Sequence, residues 1–324
     1  MKAIALISGG LDSILAAKLI QKEGIEIIPV KFKIPFLHTN KKEVAGNLGV
    51  RLKVVDISDD FLRMLEDPAH GYGTTINPCI DCKIMMLSKA RELMPEVGAA
   101  FIVTGEVLGQ RPMSQNKQAL DVIVKSANLA GLVVRPLSAK LLAETLPEKE
   151  EWIKRQNLLD LNGRSRKSQI ELAEILGIKE YAQPAGGCLL TDPEFSRKVK
   201  DLIEKKELNL ENVKLLKVGR HFRLSAKTKL VVGRDEKENA LLISLAKEGD
   251  CLFEPTAETA GPTALGRGLF DSALLELSCS IVCRYCDLNG KTSTEIVYKK
   301  SGASGKKRFT ASCIDTEKLS DFKI

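Results

Sequence analysis

No run of eighteen or more apolar residues occurs in the 324-residue chain, so nothing in it reads as a membrane-spanning helix. Nor does a cationic leader precede an apolar stretch, because residues 1–8 enter a strand directly. There is no internal repeat and no low-complexity tract. The pattern Gly-x-x-x-x-Gly-Lys-Ser/Thr is missing, which removes kinase-like and GTPase-like phosphate loops from consideration. These absences predict a cytoplasmic protein with no membrane partner. In a reducing compartment its eight cysteines are not disulfide staples, and their clustering points to metal binding or catalysis.

What is present fits an ordinary globular chain, with 44% hydrophobic and 28% charged residues. Its length is more than one core usually needs, so two domains are expected. The net charge of +7 is mild and evenly spread; it is compatible with a polyanionic partner without requiring one.

Residues 3–7 form a short apolar run, Ser8 to Asp12 a glycine turn, and residues 13–23 carry apolar residues at helical spacing. Strands follow at 25–32, 51–57, 99–104 and 132–135, with helices near 41–48 and 80–94. Strands that are continuously apolar and alternate with helices predict a doubly wound parallel sheet, with its ligand at the carboxyl ends of the strands beside the first loop. Residues 145–182 read as helices, interrupted by the basic loop Gly163-Arg164-Ser165-Arg166-Lys167. Beyond residue 191 the texture changes to a charged helix at 193–207, short β-prone runs and one helix near 236–247. The expectation is an α/β domain over 1–191 and a smaller α+β domain over 192–324.

A strand that delivers Ser8-Gly9-Gly10-Leu11-Asp12-Ser13 onto a helix N-terminus places unpaired N–H groups, aligned with the helix dipole, where an anion binds. The hydroxyls of Ser8 and Ser13 can donate to phosphate oxygens. Asp12 fits such a loop only if it caps the helix or meets a Mg²⁺ that bridges phosphates. A capped helix after a glycine turn is the bland alternative. The hexapeptide resembles the PP-loop signature of the ATP pyrophosphatases, whose sheet is of the adenine nucleotide alpha-hydrolase type. That resemblance implies ATP cleaved between its α and β phosphates and an acceptor oxygen that is adenylated.

Thr104-Gly105-Glu106-Val107-Leu108-Gly109-Gln110, followed by Met113-Ser114-Gln115, looks like a stretch of the 4-thiouridine synthetases, with Arg111 and Pro112 inserted. Arg135-Pro136-Leu137 is similar to a later segment of the same family. The resemblance implies that Thr104, Gly105 and Glu106 close the nucleotide or target pocket. It also implies a tRNA uridine as acceptor and a sulfur donor, whether a cysteine desulfurase, a sulfur carrier or free sulfide. The THUMP domain usual ahead of these synthetases and a rhodanese-like tail are not seen, which leaves the modified uridine unnamed.

Cys79 and Cys82 form a Cys-x-x-Cys pair directly before a helical stretch, and Cys188 follows two glycines far downstream. A helix N-terminus favours the thiolate, the form that attacks and that ligates metal. Asn77-Pro78-x-x-x-Cys82 with Cys188 is similar to the bacterial 2-thiouridylases, which implies a persulfide on Cys188 and a helper thiol at Cys82. The extra Cys79 instead resembles thiolases that hold a [4Fe–4S] cluster on Cys79, Cys82 and Cys188, with one iron open to sulfide. The cluster is the favoured reading, because a catalytic pair alone has no use for Cys79. Inert burial and a zinc ion completed by water or Asp81 rank lower.

Cys279-x-x-x-Cys283-x-x-Cys286 has the spacing of a radical-SAM motif, but too little chain follows it for a barrel; a small metal site with Cys313 and incidental burial are the alternatives, and these residues stay unassigned. Residues 213–235 carry Lys214, Lys217, Arg220, His221, Arg223, Lys227, Lys229 and Arg234 against Asp235 alone. The stretches around Gly219-Arg220-His221 and Gly233-Arg234-Asp235 resemble the NFACT-R type of RNA-associated domain, which implies phosphate contacts. Lys299, Lys300, Lys306, Lys307 and Arg308 form a second basic cluster, expected on a hairpin.

The reading that unites these observations is ATP-dependent thiolation of a tRNA uridine. A ligase of the same fold acting on a small molecule, or a nucleotide-regulated RNA-binding protein without turnover, are its rivals. Neither rival requires the three cysteines.

Overall fold

The computed structural model describes residues 1–37, 48–179, 181 and 187–324. The helix expected near 41–48 lies, apart from residue 48, outside the described residues. The chain divides into two compact units, Met1–Thr191 and Asp192–Ile324. Among the described residues no helix is long and apolar enough to cross a membrane.

The first unit carries strands β1 (Lys2–Leu6), β2 (Glu26–Lys33), β3 (Lys53–Asp56), β4 (Phe101–Thr104) and β5 (Val133–Val134). They form one sheet in the order β3-β2-β1-β4-β5, and every pairing is parallel. Helices α1 (Leu11–Lys22), α2 (Ser58–Glu66), α3 (Cys79–Val97), α4 (Lys117–Ser126), α5 (Leu146–Lys149) and α6 (Lys167–Ile175) connect and cover them. Alternate residues of a strand point to opposite faces. Ala3, Ala5, Phe101 and Val103 thus pack in one core with Leu11, Ile14 and Leu15 of α1 and Ala173 of α6. Ile4 and Ile102, the next residues along, are fully buried too, which places a second apolar layer on the other face. This is the doubly wound α/β sheet expected. The strand order reverses between β1 and β4, so a crevice opens at their carboxyl ends.

Three features depart from the expectation, the first being α2, where no helix was expected. Among the described residues between 145 and 182 only α5 and α6 are α-helical, with one 3₁₀ turn at Arg155–Asn157, because Glu151, at φ 55°, and Gly163, at φ 83°, interrupt any longer run. α4 was not expected at all, since its apolar residues Ala119, Leu120 and Ile123 make too short a stripe to stand out. Its N-cap is plain in hindsight, Asn116 Oδ1 accepting from Ala119 N at 2.8 Å.

The second unit holds α7 (Pro193–Glu204), α8 (Leu210–Leu216), α9 (Glu236–Leu245), α10 (Ser272–Cys283) and α11 (Thr316–Ser320). Its six strands are β6 (Arg220–Ser225), β7 (Thr228–Val232), β8 (Cys251–Pro255), β9 (Ala264–Gly268), β10 (Ser293–Lys300) and β11 (Lys306–Ser312). They pair antiparallel throughout in the order β11-β10-β8-β9-β7-β6, an α+β unit. α10 was missed because it is apolar on most sides, with Cys279, Ile281, Val282 and Cys283 buried. Its cysteines sit in that core, and Cys283 Sγ lies 3.2 Å from Cys313 Sγ. The small metal site considered for Cys313 is absent among the described residues.

Asp201 of α7 organises the basic strands. Arg223 Nη2 donates to it at 2.6 Å, Lys229 Nζ lies 3.2 Å away, and Arg223 also reaches Glu207 at 2.8 Å. Burial lowers the Lys229 ammonium to about 8 although Asp201 works against it. Arg223 and Lys229, expected to face phosphate, are therefore engaged inside the unit. Replacing Asp201 by Ala leaves the sequestered Lys229 without its carboxylate and Arg223 with Glu207 alone. We expect a loss of roughly 3 kcal/mol, the low end for one partner of a buried pair, measurable by urea unfolding of the full chain.

Candidate functional site

The loop after β1 and the loop after β4 meet at the reversal point of the sheet. Gly9 adopts φ 92°, which an L side chain resists, and turns the chain so that Gly10 becomes the N-cap of α1. Leu11 is buried and anchors the turn. No side chain caps the helix, so Asp12 does not play the capping role considered for it. Ser13 Oγ donates to the Gly10 carbonyl at 2.8 Å, Gly10 N donates to Ser8 Oγ at 3.2 Å, and the two hydroxyls are 3.3 Å apart. Asp12 accepts from Gln110 Nε2 at 3.2 Å and lies 3.7 Å from Arg166 Nη2. Its Oδ1 is buried without a hydrogen-bond partner. An orphaned carboxylate oxygen beside aligned N–H groups is a fitting ligand for a phosphate-bridging cation.

Gly105 closes the contact between the two loops. A Cβ there would lie 2.5 Å from the Asp12 carbonyl carbon and the Ser13 nitrogen, so only glycine lets the chains touch. The next residue, Glu106, is locked. Lys83 Nζ of α3 donates to it at 2.5 Å, Arg135 Nε at 2.8 Å and Thr104 Oγ1 at 3.1 Å. Burial pushes the Glu106 carboxyl up, and the Lys83 and Arg135 charges outweigh it, holding it at about 2. Glu106, expected to touch nucleotide or target, instead spends both oxygens on protein partners.

Lys83 follows Cys82 in the first turns of α3, so this pair fixes the cysteine helix to the phosphate-loop side. Around Cys79 a second network does the same: Asn77 Nδ2 donates to Cys79 Sγ at 3.1 Å and to Met113 Sδ at 3.6 Å. The Thr75 hydroxyl sits between Asn77 Oδ1 at 2.7 Å and the Leu190 carbonyl at 2.6 Å, close to Cys188. Burial raises the Cys82 thiol strongly, and the charges of Cys188 and Cys79 raise it further. Cys188 is pushed up to about 11 by burial and by Cys79, with Arg111 opposing. The three sulfurs thus share one electrostatic neighbourhood. The expectation of a helix-lowered thiol is corrected for Cys82, because desolvation outweighs the half-charge of a helix end.

Among the described residues no three His, Cys, Asp or Glu side chains are grouped to hold a single metal ion. Asp81, the considered fourth zinc ligand, accepts from His70 N at 3.0 Å and lies 2.8 Å from His70 Nδ1. Sequence reasoning named the glycine loop, the Thr104 segment and the cysteines, but gave Lys83 and Arg166 no role. Adjacency to Cys82 was the only signal for Lys83, and the basic loop the only one for Arg166.

Residues 1–141 match the family described as thiamine biosynthesis protein (ThiI), and residues 219–323 match the NFACT protein RNA binding domain. The first unit is ThiI-like, and the second is similar to the NFACT RNA binding domain. A probable tRNA sulfurtransferase of Thermococcus kodakarensis is 30% identical over 146 residues, 42% of this chain and 36% of the relative. The tRNA-specific 2-thiouridylase MnmA of Helicobacter hepaticus is 32% identical over 120 residues, 32% of this chain and 34% of the relative. The chain therefore spans about a third of the length of these curated relatives. A solved 4-thiouridine synthetase–RNA complex with bound ATP aligns with 66% of this chain and 52% of its own at 21% identity, with a TM-score of 0.42, too loose a likeness to transfer any residue's role.

In the ThiI-like unit, Glu106 supplies a pH test. Its folded pKa is depressed, so its stabilisation is complete above the unfolded value of 4.5 and is lost as pH falls toward about 2. Glu106→Gln should cost about 3 kcal/mol near neutrality. The gap to wild type should close across that acid window, read by urea unfolding at successive pH values.

Proposed function

We propose that this chain thiolates a uridine of tRNA at the expense of ATP, releasing AMP and pyrophosphate. What supports the reading is one physical link. The phosphate loop Ser8–Ser13 touches Gly105, and Glu106 binds Lys83 beside Cys82, so nucleotide and sulfur chemistry share one scaffold.

In this scheme the N–H groups of the loop, with Ser8 and Ser13, receive the β and γ phosphates, and Asp12 Oδ1 would hold a Mg²⁺, which would supply positive charge to neutralise them. The uridine carbonyl oxygen attacks the α phosphorus. The bond from that phosphorus to the β-bridging oxygen breaks, and pyrophosphate leaves with its electron pair. Sulfur then attacks the activated carbon, the carbon–oxygen bond breaks, and AMP departs. Thr104 and Gly105 shape the pocket, and Glu106 holds its walls together.

Cys79, Cys82 and Cys188 would hold the [4Fe–4S] cluster. A cluster spreads its thiolates around a larger core than one ion, and with three protein ligands it leaves an iron open to sulfide. Half-buried thiols that repel one another as thiolates suit a cationic core. The sulfur comes from a separate donor, protein or small molecule. A small-molecule ligase would have no use for three thiols in one neighbourhood.

RNA affinity is assigned to the β10–β11 hairpin. Lys299, Lys300, Lys306, Lys307 and Arg308 are exposed there, and Lys299 pairs directly opposite Lys306. Like charges opposed across strands cost stability, and phosphate relieves that cost.

The test pairs two measurements. Pyrophosphate release should depend on tRNA, and Cys188→Ser should keep that release while thionucleosides vanish from tRNA by mass spectrometry. Anaerobically purified protein should carry iron and sulfide, lost in Cys79→Ser. Pyrophosphate release indifferent to tRNA, or thiolation intact in the cysteine variants, would overturn the proposal. Thiolation without iron would reassign the sulfur to a persulfide on Cys188.

A further inference from the structure

Cys251, Cys279, Cys283, Cys286 and Cys313 lie in the second unit and have no part in the scheme above. Cys251 Sγ sits 3.7 Å from the Tyr298 hydroxyl, and Cys286 Sγ donates to the Val282 carbonyl at 3.4 Å. Cys283 and Cys313 are differently placed, because their sulfurs are 3.2 Å apart although 30 positions separate them in the chain. Cys283 ends α10 and is fully buried, with its Sγ also 3.2 Å from the Ala311 carbonyl. Cys313 follows β11 directly and is half-buried.

Thiols pack together as small apolar groups, and a weak S–H hydrogen bond to sulfur accounts for part of such a contact. Two further observations take this pair beyond packing. A disulfide bond is about 2.0 Å long, so closing one here asks the sulfurs to approach by roughly 1 Å. The strand that the bond would hold also has little else to hold it. β11 is outermost in its sheet, with β10 as its strand neighbour, and the opposed Lys299 and Lys306 work against that pairing.

We propose that Cys283 and Cys313 form a reversible dithiol–disulfide couple, a modification site that in its oxidised form fastens the edge strand β11 to the end of α10. Such a bond is a redox-responsive link rather than a permanent staple. The oxidant is a small-molecule disulfide. Cys313, the more accessible sulfur, gives up its proton and attacks one sulfur of that disulfide; the disulfide bond breaks, and the first small thiolate leaves and takes up a proton. Cys283 then loses its proton and attacks Cys313 Sγ, and the second small thiol departs. Two protein thiols are oxidised by two electrons, and one small disulfide is reduced to two thiols. Burial and the bond to Cys313 push the Cys283 thiol up to about 12, so Cys283 is a poor first attacker and serves as the resolving thiol. No residue of the first unit enters this inference, which is independent of the ATP reading.

The experiment equilibrates the full-length chain with hydroxyethyl disulfide and 2-mercaptoethanol at a series of ratios, quenches in acid, blocks free thiols with N-ethylmaleimide and maps the peptides by mass spectrometry. A peptide pair linked through Cys283 and Cys313 should appear as the ratio becomes oxidising and vanish when thiol is restored. Cys313→Ser, a change at the half-buried position, should lose the pair, and Cys286→Ser should keep it. Amide hydrogen exchange in β11 should slow on oxidation of wild type and not of Cys313→Ser, a local readout that other oxidised cysteines do not mimic. Both thiols still open to maleimide at the most oxidising ratio would overturn the couple, as would a small-thiol adduct that persists on Cys313 or a link made through Cys286. A linked protein whose β11 amides exchange as fast as before would overturn the fastening.

Discussion

Glu106 is a carboxylate held out of water by two cations drawn from different parts of the first unit, Lys83 from α3 and Arg135 from just beyond β5. Removing one member of such a group leaves the others buried and uncompensated, which costs far more than an exposed pair would. The consequence is geometric. With Lys83 tied to the β4 loop, the first turn of α3 cannot drift, and that turn carries Cys79 and Cys82. Gly105, one residue earlier, presses on the backbone of Asp12 and Ser13. A continuous path of contacts therefore runs from the phosphate loop through Gly105, Glu106 and Lys83 to the cysteines. Each step is a close packing or a charge pair rather than a flexible tether.

The burial that makes this group rigid also sets the chemistry of the thiols. A medium too dry to screen Glu106 from its cations is equally poor at stabilising a thiolate, and Cys82 and Cys188 rise accordingly. Free thiols so placed are weak nucleophiles at neutral pH. Sulfur chemistry there needs something that spreads or neutralises negative charge, which is what a cluster core or a persulfide provides and a bare thiol does not. Arg111, in the insertion that interrupts the Thr104 segment, acts in the helpful direction on Cys188. The insertion thus brings positive charge to the cysteine end of the site.

Much of the first unit was legible because its signals are local. A glycine turn between an apolar strand and a helix has few other uses, and continuous apolar strands leave little choice but a covered parallel sheet. The parts that were not legible depend on contacts distant in sequence. Nothing around Lys83 says that its partner lies at 106, and nothing around Arg166 says that it reaches Asp12. α4 and α10 escaped for opposite reasons, the first for too short an apolar stripe and the second for having apolar residues on most of its surface, so that neither gave a clear period. The thiol expectation failed in sign because a sequence shows the helix N-terminus but not the depth of burial.

Charge in the second unit follows the same division between local pattern and distant partner. The run from Lys214 to Arg234 looks like a polyanion surface, but Arg223 and Lys229 are drawn inward by Asp201, and Arg234 pairs with Glu238 at 2.8 Å. Counting basic residues therefore overstates what β6 and β7 can offer to phosphate. The β10–β11 hairpin is the reverse case. Its lysines are exposed and face each other across the strands, an arrangement that a stability argument alone disfavours. A cost borne in the free protein and relieved by a polyanion makes binding more favourable by that same amount. The hairpin thus presents exposed positive charge that the richer basic run, with Arg223 and Lys229 drawn inward, offers less of.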